Sequence, residues 1–326
     1  MISRREFIMF LGGAAAAWPV VARAQQAAMP VISLFNSGNQ ATNAKNLTTF
    51  RQGLKETGFA EGQNVAIEFR WADNQFDRLA DLATDVIARR PAVIVSNTLA
   101  TLRLKSATTT IPIVFTTGSD PVRDGLVISM SRPGGNITGV VFITGTLGAK
   151  RLELLRQFVP KATKIAMLVY PGTPETEAER KDVQAAAQVM GRQVDFLEVR
   201  TTGDVETAFA TLTSRQANAL LIGTGPFTTN YRGLLVALAA RHAIPTMYSN
   251  RESVEVGGLM GYGASLPDAY HQAGLYTGRI LKGEKPGDLP VVQSSKFEFV
   301  INLNAAKALG LEFHPQLLAT ADEVIE

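Results

Sequence analysis

The strongest constraint on this chain is that it follows one plan twice. Val31 and Ile165 open matching strand-like segments 134 residues apart. Gly58 and Gly191 each stop a helix-like stretch and are 133 apart, as are Ile111-Pro112 and Ile244-Pro245. A period of that length is a duplicated supersecondary unit, and 326 residues hold two of them. Within each unit, apolar runs of strand length alternate with helical stripes. In the first, Val31–Phe35, Val65–Trp71, Ala92–Val95 and Ile111–Phe115 read as strands. Between them lie helices carrying Leu47, Phe50 and Leu54, then Leu79, Leu82, Ala83, Val86 and Ile87. In the second, Ile165–Val169, Val194–Val199, Ala219–Ile222 and the segment after Pro245 are the strands. Their helices carry Val183, Ala187 and Met190, then Val205, Ala208 and Phe209 (capped by Asp204), then Leu234, Leu235 and Leu238. Strands alternating with helices predict an α/β chain with parallel sheets covered on both faces. Two such sheets of similar size predict a bilobed molecule.

In an open parallel sheet the ligand sits outside the carboxyl ends of the strands. Those ends carry Ser37, Ser96, Asn97, Thr98, Thr116, Thr117 and Asp120 in the first half. In the second they carry Tyr170, Thr224, Asn250 and Arg251. Small hydroxyls and amides beside glycine suit a small polar ligand held by neutral hydrogen bonds. The competing role for each is to cap the helix that follows. Trp71, at a strand end, either lines the crevice or packs beneath it.

Composition removes most catalytic readings. Cysteine is absent, which excludes disulfides, thiol nucleophiles, thiolate zinc and iron–sulfur sites. The three histidines, His242, His271 and His314, share no ligand spacing, so neither metal nor cofactor is expected. Gly223-Thr224-Gly225 lacks the third glycine of a dinucleotide loop, and G-x-S-x-G, G-x-x-x-x-G-K and H-E-x-x-H do not occur. Pro133-Gly134-Gly135-Asn136 reads as a turn into the strand at Val140 rather than as a phosphate cradle. His242 falls at a helix end, where it suits the negative pole of the helix dipole.

Residues 1–24 read as a cleaved export signal. Arg4-Arg5 precede an apolar stretch from Met9 to Val21, and Ala22-Arg23-Ala24 supplies small residues at the cleavage positions. Paired arginines before a large apolar residue resemble a twin-arginine signal, the alternative being an ordinary Sec signal. Either route leaves a mature chain from Gln25 in the periplasm, with no membrane anchor. Without those residues, 29 basic side chains face 28 acidic ones, so bulk charge predicts no nucleic-acid partner.

Longer motifs carry a resemblance. Ser119-Asp120-Pro121-Val122, Gly125-Leu126-Val127 and Ser131-Arg132-Pro133-Gly134-Gly135-Asn136-Ile137-Thr138-Gly139 are similar to segments of the ABC-transporter substrate-binding proteins, in the tryptophan/tyrosine-type branch. So are Ala239–Pro245, Glu255–Gly263, Gly278–Pro286 and Phe297–Gly310, which together span the mature chain. The resemblance implies a type I periplasmic-binding fold: two Rossmann-like lobes joined by three hinge segments, with the ligand between them. The implied crossings are Val140–Gly145, Gly261–Ser265 and Leu289–Lys296, with Gly261, Tyr262 and Gly263 absorbing the rotation. The first lobe is then 29–142 with 265–290, and the second 145–262 with 296–326.

The implied function is capture of a small polar or aromatic, amino-acid-like molecule and its delivery to an ABC permease with its ATPase subunits. The protein acts as a monomer and makes or breaks no bond. Ser96-Asn97-Thr98 and Thr116-Thr117 match the family's carboxylate and ammonium positions, and Asp120 is the implied partner of an ammonium group. Tyr170 and Thr224-Gly225-Pro226 depart from the family's aromatic-amino-acid pattern, which leaves the ligand class open. The rival readings are a sensor of the same fold, an exported α/β enzyme, and a cytoplasmic regulator. The regulator lacks support, because no DNA-binding helix pair precedes Val31.

Overall fold

The computed structural model describes residues 29–142 and 146–326. The expected export signal, and residues 143–145 of the first expected crossing, lie outside the described residues.

The first half runs β1 (Val31–Asn36), α1 (Ala44–Glu56), β2 (Ala66–Trp71), α2 (Leu79–Ala88), β3 (Val93–Asn97), α3 (Thr98–Ala107), β4 (Ile113–Thr117) and β5 (Ile137–Phe142). The second runs α4 (Gly148–Phe158), β6 (Lys164–Val169), α5 (Pro174–Val189), β7 (Gln193–Glu198), α6 (Thr202–Ser214), β8 (Ala219–Ile222), α7 (Pro226–Asn230), α8 (Arg232–Arg241), β9 (Thr246–Tyr248), α9 (Arg251–Glu255) and β10 (Met260–Ala264). The chain ends with α10 (Leu266–Leu281), β11 (Val292–Ser294), β12 (Phe297–Asn302), α11 (Leu303–Ala308), α12 (Pro315–Leu318) and β13 (Glu323–Ile325).

Two separate sheets form. One has the order β11-β5-β4-β3-β1-β2 and the other β13-β12-β10-β9-β8-β6-β7. Each repeats the 2-1-3-4-5 order of its own half, so the duplication seen in sequence is a duplication of topology. All pairings are parallel except β10 with β12, where Ala264 faces Phe297. Central strands such as β1, β3 and β6 are buried almost throughout, because helices cover both faces. The outer strand β7 alternates exposed and half-buried residues, as Gln193-Val194-Asp195-Phe196 suggests for an edge.

Each fifth strand hands the chain to the opposite sheet. After β5, α4 buries Leu152, Leu155 and Phe158 against Ile165, Met167 and Met247 of the second sheet. After β10, α10 buries Tyr270, Ala273 and Tyr276 against Ile32, Val95 and Val114 of the first. Helices α1 and α10 meet at close range because glycines line the contact. A Cβ on Gly274 would press on the Phe50 carbonyl and stand 2.8 Å from the Leu54 nitrogen. Gly274→Ala is expected to cost about 1–3 kcal/mol, read as a lower denaturant midpoint.

Gly261, Tyr262 and Gly263, expected from the sequence to absorb the hinge rotation, lie within β10, paired to β12 over its whole length and to β9 at Gly261. Gly261 meets a packing demand, since a Cβ there would stand 2.5 Å from the Asn250 carbonyl oxygen. The chain leaves the second sheet one step later, at Ser265, whose N–H bonds the Lys296 carbonyl at 2.9 Å on the neighbouring crossing. Asp204 does not cap α6 by itself. Thr201 is the N-cap, and the two residues form a reciprocal capping box.

Candidate functional site

A cavity of about 660 Å3, counting its open mouth, lies between the carboxyl ends of the two sheets. Asn36, Asn97, Thr98, Thr116 and Tyr270 line its first wall, and Glu175, Thr224, Asn230, Ser249 and Asn250 its second. Phe142, Leu266 and Pro226 add apolar surface.

The first wall is held by bonds among strand ends. Asn36 donates to the Tyr270 hydroxyl at 2.9 Å and accepts from the Gly38 N–H at 2.8 Å. Tyr270 arrives from α10, so the chain crossing completes this wall. Asn97 caps α3 through the Ala100 N–H and donates to the Ser37 hydroxyl at 2.8 Å. In the second wall, Thr224 donates from its N–H and its hydroxyl to Glu179 Oε2, at 2.6 and 2.8 Å. Glu179 is fully buried and paired with the equally buried Arg151, which also reaches the Tyr262 carbonyl at 3.4 Å. Asn250 caps α9 through Ser253 at 2.9 Å while lining the cavity.

Glu175 is the one carboxylate in the lining. It stands in the first turn of α5, behind the N-cap Thr173 and Pro174. Its Oε1 accepts from the Thr98 hydroxyl at 2.6 Å and the Gly118 N–H at 3.3 Å. Its Oε2 is buried with no protein partner, and so is Asn230 Nδ2 in the same lining. Burial pushes the Glu175 carboxyl above the ordinary range, against the lowering pull of the Thr98 and Gly118 bonds. A buried acceptor and a buried donor, both lacking partners, fit a ligand carrying an ammonium and a carboxylate.

Of the residues expected from sequence, Asn97, Thr98, Thr116, Thr224 and Asn250 line this cavity. Ser37, Ser96, Thr117, Asp120 and Tyr170 do not. Ser37 is turned to Asn97, and the Ser96 hydroxyl bonds that of Thr101 at 2.7 Å. Thr117 stands behind Thr98 at 3.1 Å and braces it. Asp120 is exposed and caps its own loop at the Val122 N–H, 2.9 Å away, which leaves it turned from the cavity. Tyr170 stacks on Phe227 at 5.1 Å and meets Phe76 of the other half edge-on at 5.4 Å, so it closes the seam between lobes. Trp71 stacks on Phe69 and packs at the first core.

Sequence reasoning missed Glu175, Asn36, Asn230 and Tyr270. Thr173-Pro174-Glu175 reads as an ordinary helix start, and Tyr270 is far from any first-half strand in sequence.

The histidines serve structure. His242 ends α8 and bonds the Thr213 hydroxyl at 3.1 Å, His271 meets Glu56 at 3.0 Å, and His314 accepts the Gln316 N–H at 3.3 Å. His242→Ala is therefore expected to leave ligand affinity unchanged by calorimetry. A tenfold loss would contradict this assignment. Among the described residues no group of three His, Asp or Glu side chains is placed to hold a metal, and no helix is long and apolar enough to cross a membrane.

The lobes stand closed on the cavity. Glu175 bridges to Thr98 and Gly118, Lys45 pairs with Glu255 at 2.8 Å, and Arg232 donates to the Thr42 carbonyl at 3.1 Å.

A family model described as ABC transporter substrate binding protein matches residues 39–325. The chain is 26% identical over 264 residues to a tyrosine-binding protein of Clostridioides difficile (strain R20291), covering 81% of this chain and 76% of that one. A crystal structure of an ABC domain in complex with L-Trp from Streptococcus pneumonia superposes with a TM-score of 0.83 at 25% identity, covering 91% of this chain and 99% of that one. The ligand-free, open structure of a substrate binding protein from Clostridium difficile gives 0.65 at 24% identity over the same shares, 91% and 99%.

Proposed function

The chain belongs to the ABC transporter substrate-binding protein family, and from that premise we propose that it captures an α-amino acid, aromatic by preference, between its lobes. The observation that carries this reading is the unpartnered Glu175 Oε2 in the cavity wall. The ligand's ammonium pairs with Glu175, its carboxylate takes the Asn230 amide, and its side chain lies toward Phe142, Leu266 and the Tyr270 ring. Thr98, Thr116, Asn97, Thr224 and Asn250 complete the polar contacts. The mechanism is a shift toward the closed state, driven by contacts to both lobes. Binding proteins of this family make no covalent change, and the chain delivers its cargo unaltered to a membrane permease and its ATPase subunits.

The lobes of this reading are those expected from the sequence, with β11 (Val292–Ser294) joined to the first lobe because it pairs with β5. The chain works in the periplasm after removal of residues 1–24.

The test is a thermal-shift and calorimetric series on the mature chain from Gln25. L-tyrosine and L-tryptophan are compared with their deaminated acids. A ligand at 100 times its Kd stabilises by about 2.7 kcal/mol, a shift of several degrees. The amino acids are expected to shift the melt and the deaminated acids to leave it unmoved. Equal shifts with both series would remove the ammonium from the reading.

A further inference from the structure

Glu175 is carried by α5 on the second sheet, yet both donors to its Oε1 come from the first: the Thr98 hydroxyl at 2.6 Å and the Gly118 N–H at 3.3 Å. The residue is 2% exposed. These contacts exist only while the lobes are shut. Closing an empty cleft therefore moves a carboxylate out of water with one oxygen bonded and the other left without a partner.

The charged groups around it do not neutralise it. Asp124, on the loop after β4, adds repulsion; it is bonded to the Ser119 hydroxyl and paired with Arg123 at 3.1 Å. Arg123 reaches α5 only at the Pro174 carbonyl, 3.5 Å away. Asp120 lines a second cavity that Glu175 also borders, and is turned into its own loop. Glu179, one turn along α5, is committed to Arg151 and Thr224. The start of α5 brings only the partial positive charge of a helix N-terminus.

We propose that Glu175 makes closure itself selective for charge: the empty cleft is held open by its carboxylate, and a ligand cation or a proton lets the lobes shut. This rests on the amino-acid reading for the identity of the cation, and it deepens that reading. A neutral molecule of the right shape enters the open cleft but does not close it. The closed, empty state takes up a proton, so closure without ligand is favoured at low pH and lost as pH rises. Burial pushing the carboxyl up in the closed form agrees with that direction.

The experiment is small-angle scattering of the mature, ligand-free chain from pH 8 to pH 5, alongside Glu175→Gln. Wild type is expected to be extended at pH 8 and to become compact as pH falls. Glu175→Gln is expected to be compact at both ends without ligand, since its amide oxygen keeps the Thr98 and Gly118 bonds. Adding L-tyrosine at pH 8 is expected to compact wild type and to leave Glu175→Gln unmoved. A wild-type radius that stays flat across the range, or a variant matching wild type at pH 8, would overturn the proposal. Should the variant fail to fold, the wild-type pH series decides alone. If no amino acid binds, the cargo reading fails, while the pH response of the empty protein still judges this inference.

Discussion

Replacing Glu175 with glutamine lowers the affinity for an aromatic α-amino acid by at least about 100-fold, the scale expected when one partner of a buried charge pair is removed. The substitution keeps the shape of the side chain and an acceptor for Thr98 and Gly118, so the loss reports the charge. The same carboxyl makes binding pH-dependent. In the empty closed cleft burial raises its proton affinity, and a ligand ammonium lowers it again. Binding to the protonated form therefore expels a proton. Affinity rises with pH up to the raised value and levels off above it, by at most one logarithmic unit per pH unit. Calorimetry in two buffers of different ionisation enthalpy measures the released proton directly. Equal heats in both buffers, with a Kd constant from pH 5 to 8, would mean that the Glu175 carboxyl is already ionised in the ligand-free protein across that range.

Arg151→Met is expected to have the largest effect on stability. Arg151 and Glu179 are each 1% exposed and face each other between α4 and α5. Removing one partner of such a pair costs about 3–5 kcal/mol, because the other charge stays buried. For a chain of this size the melting temperature falls by roughly 10 °C. The double variant Arg151→Met with Glu179→Leu is expected to regain most of that loss, since a well-packed apolar pair needs no counter-charge. Ligand affinity is not expected to return with it. Thr224 donates twice to Glu179, so the double variant leaves the Thr224 N–H without its acceptor and the cavity wall misplaced. Recovery of both stability and affinity would mean that the pair does not position Thr224.

Much of the fold is legible in the chain because it depends on short-range patterns. Apolar strand runs, helical stripes and stop glycines repeat at a constant offset, and the sheets repeat the same strand order. The candidate site is legible only in part. Asn97, Thr98, Thr116 and Thr224 stand at or just beyond the carboxyl ends of strands, where the sheet's geometry alone brings them to the crevice. Ser37 and Ser96 stand there too but turn to neighbours, since side-chain direction depends on partners supplied by another loop. Asp120 shows the same limit: an acidic residue before proline suits a ligand ammonium or its own turn equally well in sequence, and the turn holds it.

What the sequence by itself determined is the duplicated α/β plan, the exclusion of thiol chemistry by the absence of cysteine, and the strand ends from which a polar site is drawn. Those features need only local periodicity, residue identity and spacing. The tertiary structure alone decided which carboxylate enters the cavity lining, and why. Glu175 sits in an ordinary first helical turn, and its buried, half-bonded state arises only when Thr98 and Gly118 of the other sheet close over it. Tyr270 likewise enters the first wall through the crossing after β10. Both depend on contacts between residues far apart in the chain, which periodicity and spacing do not encode.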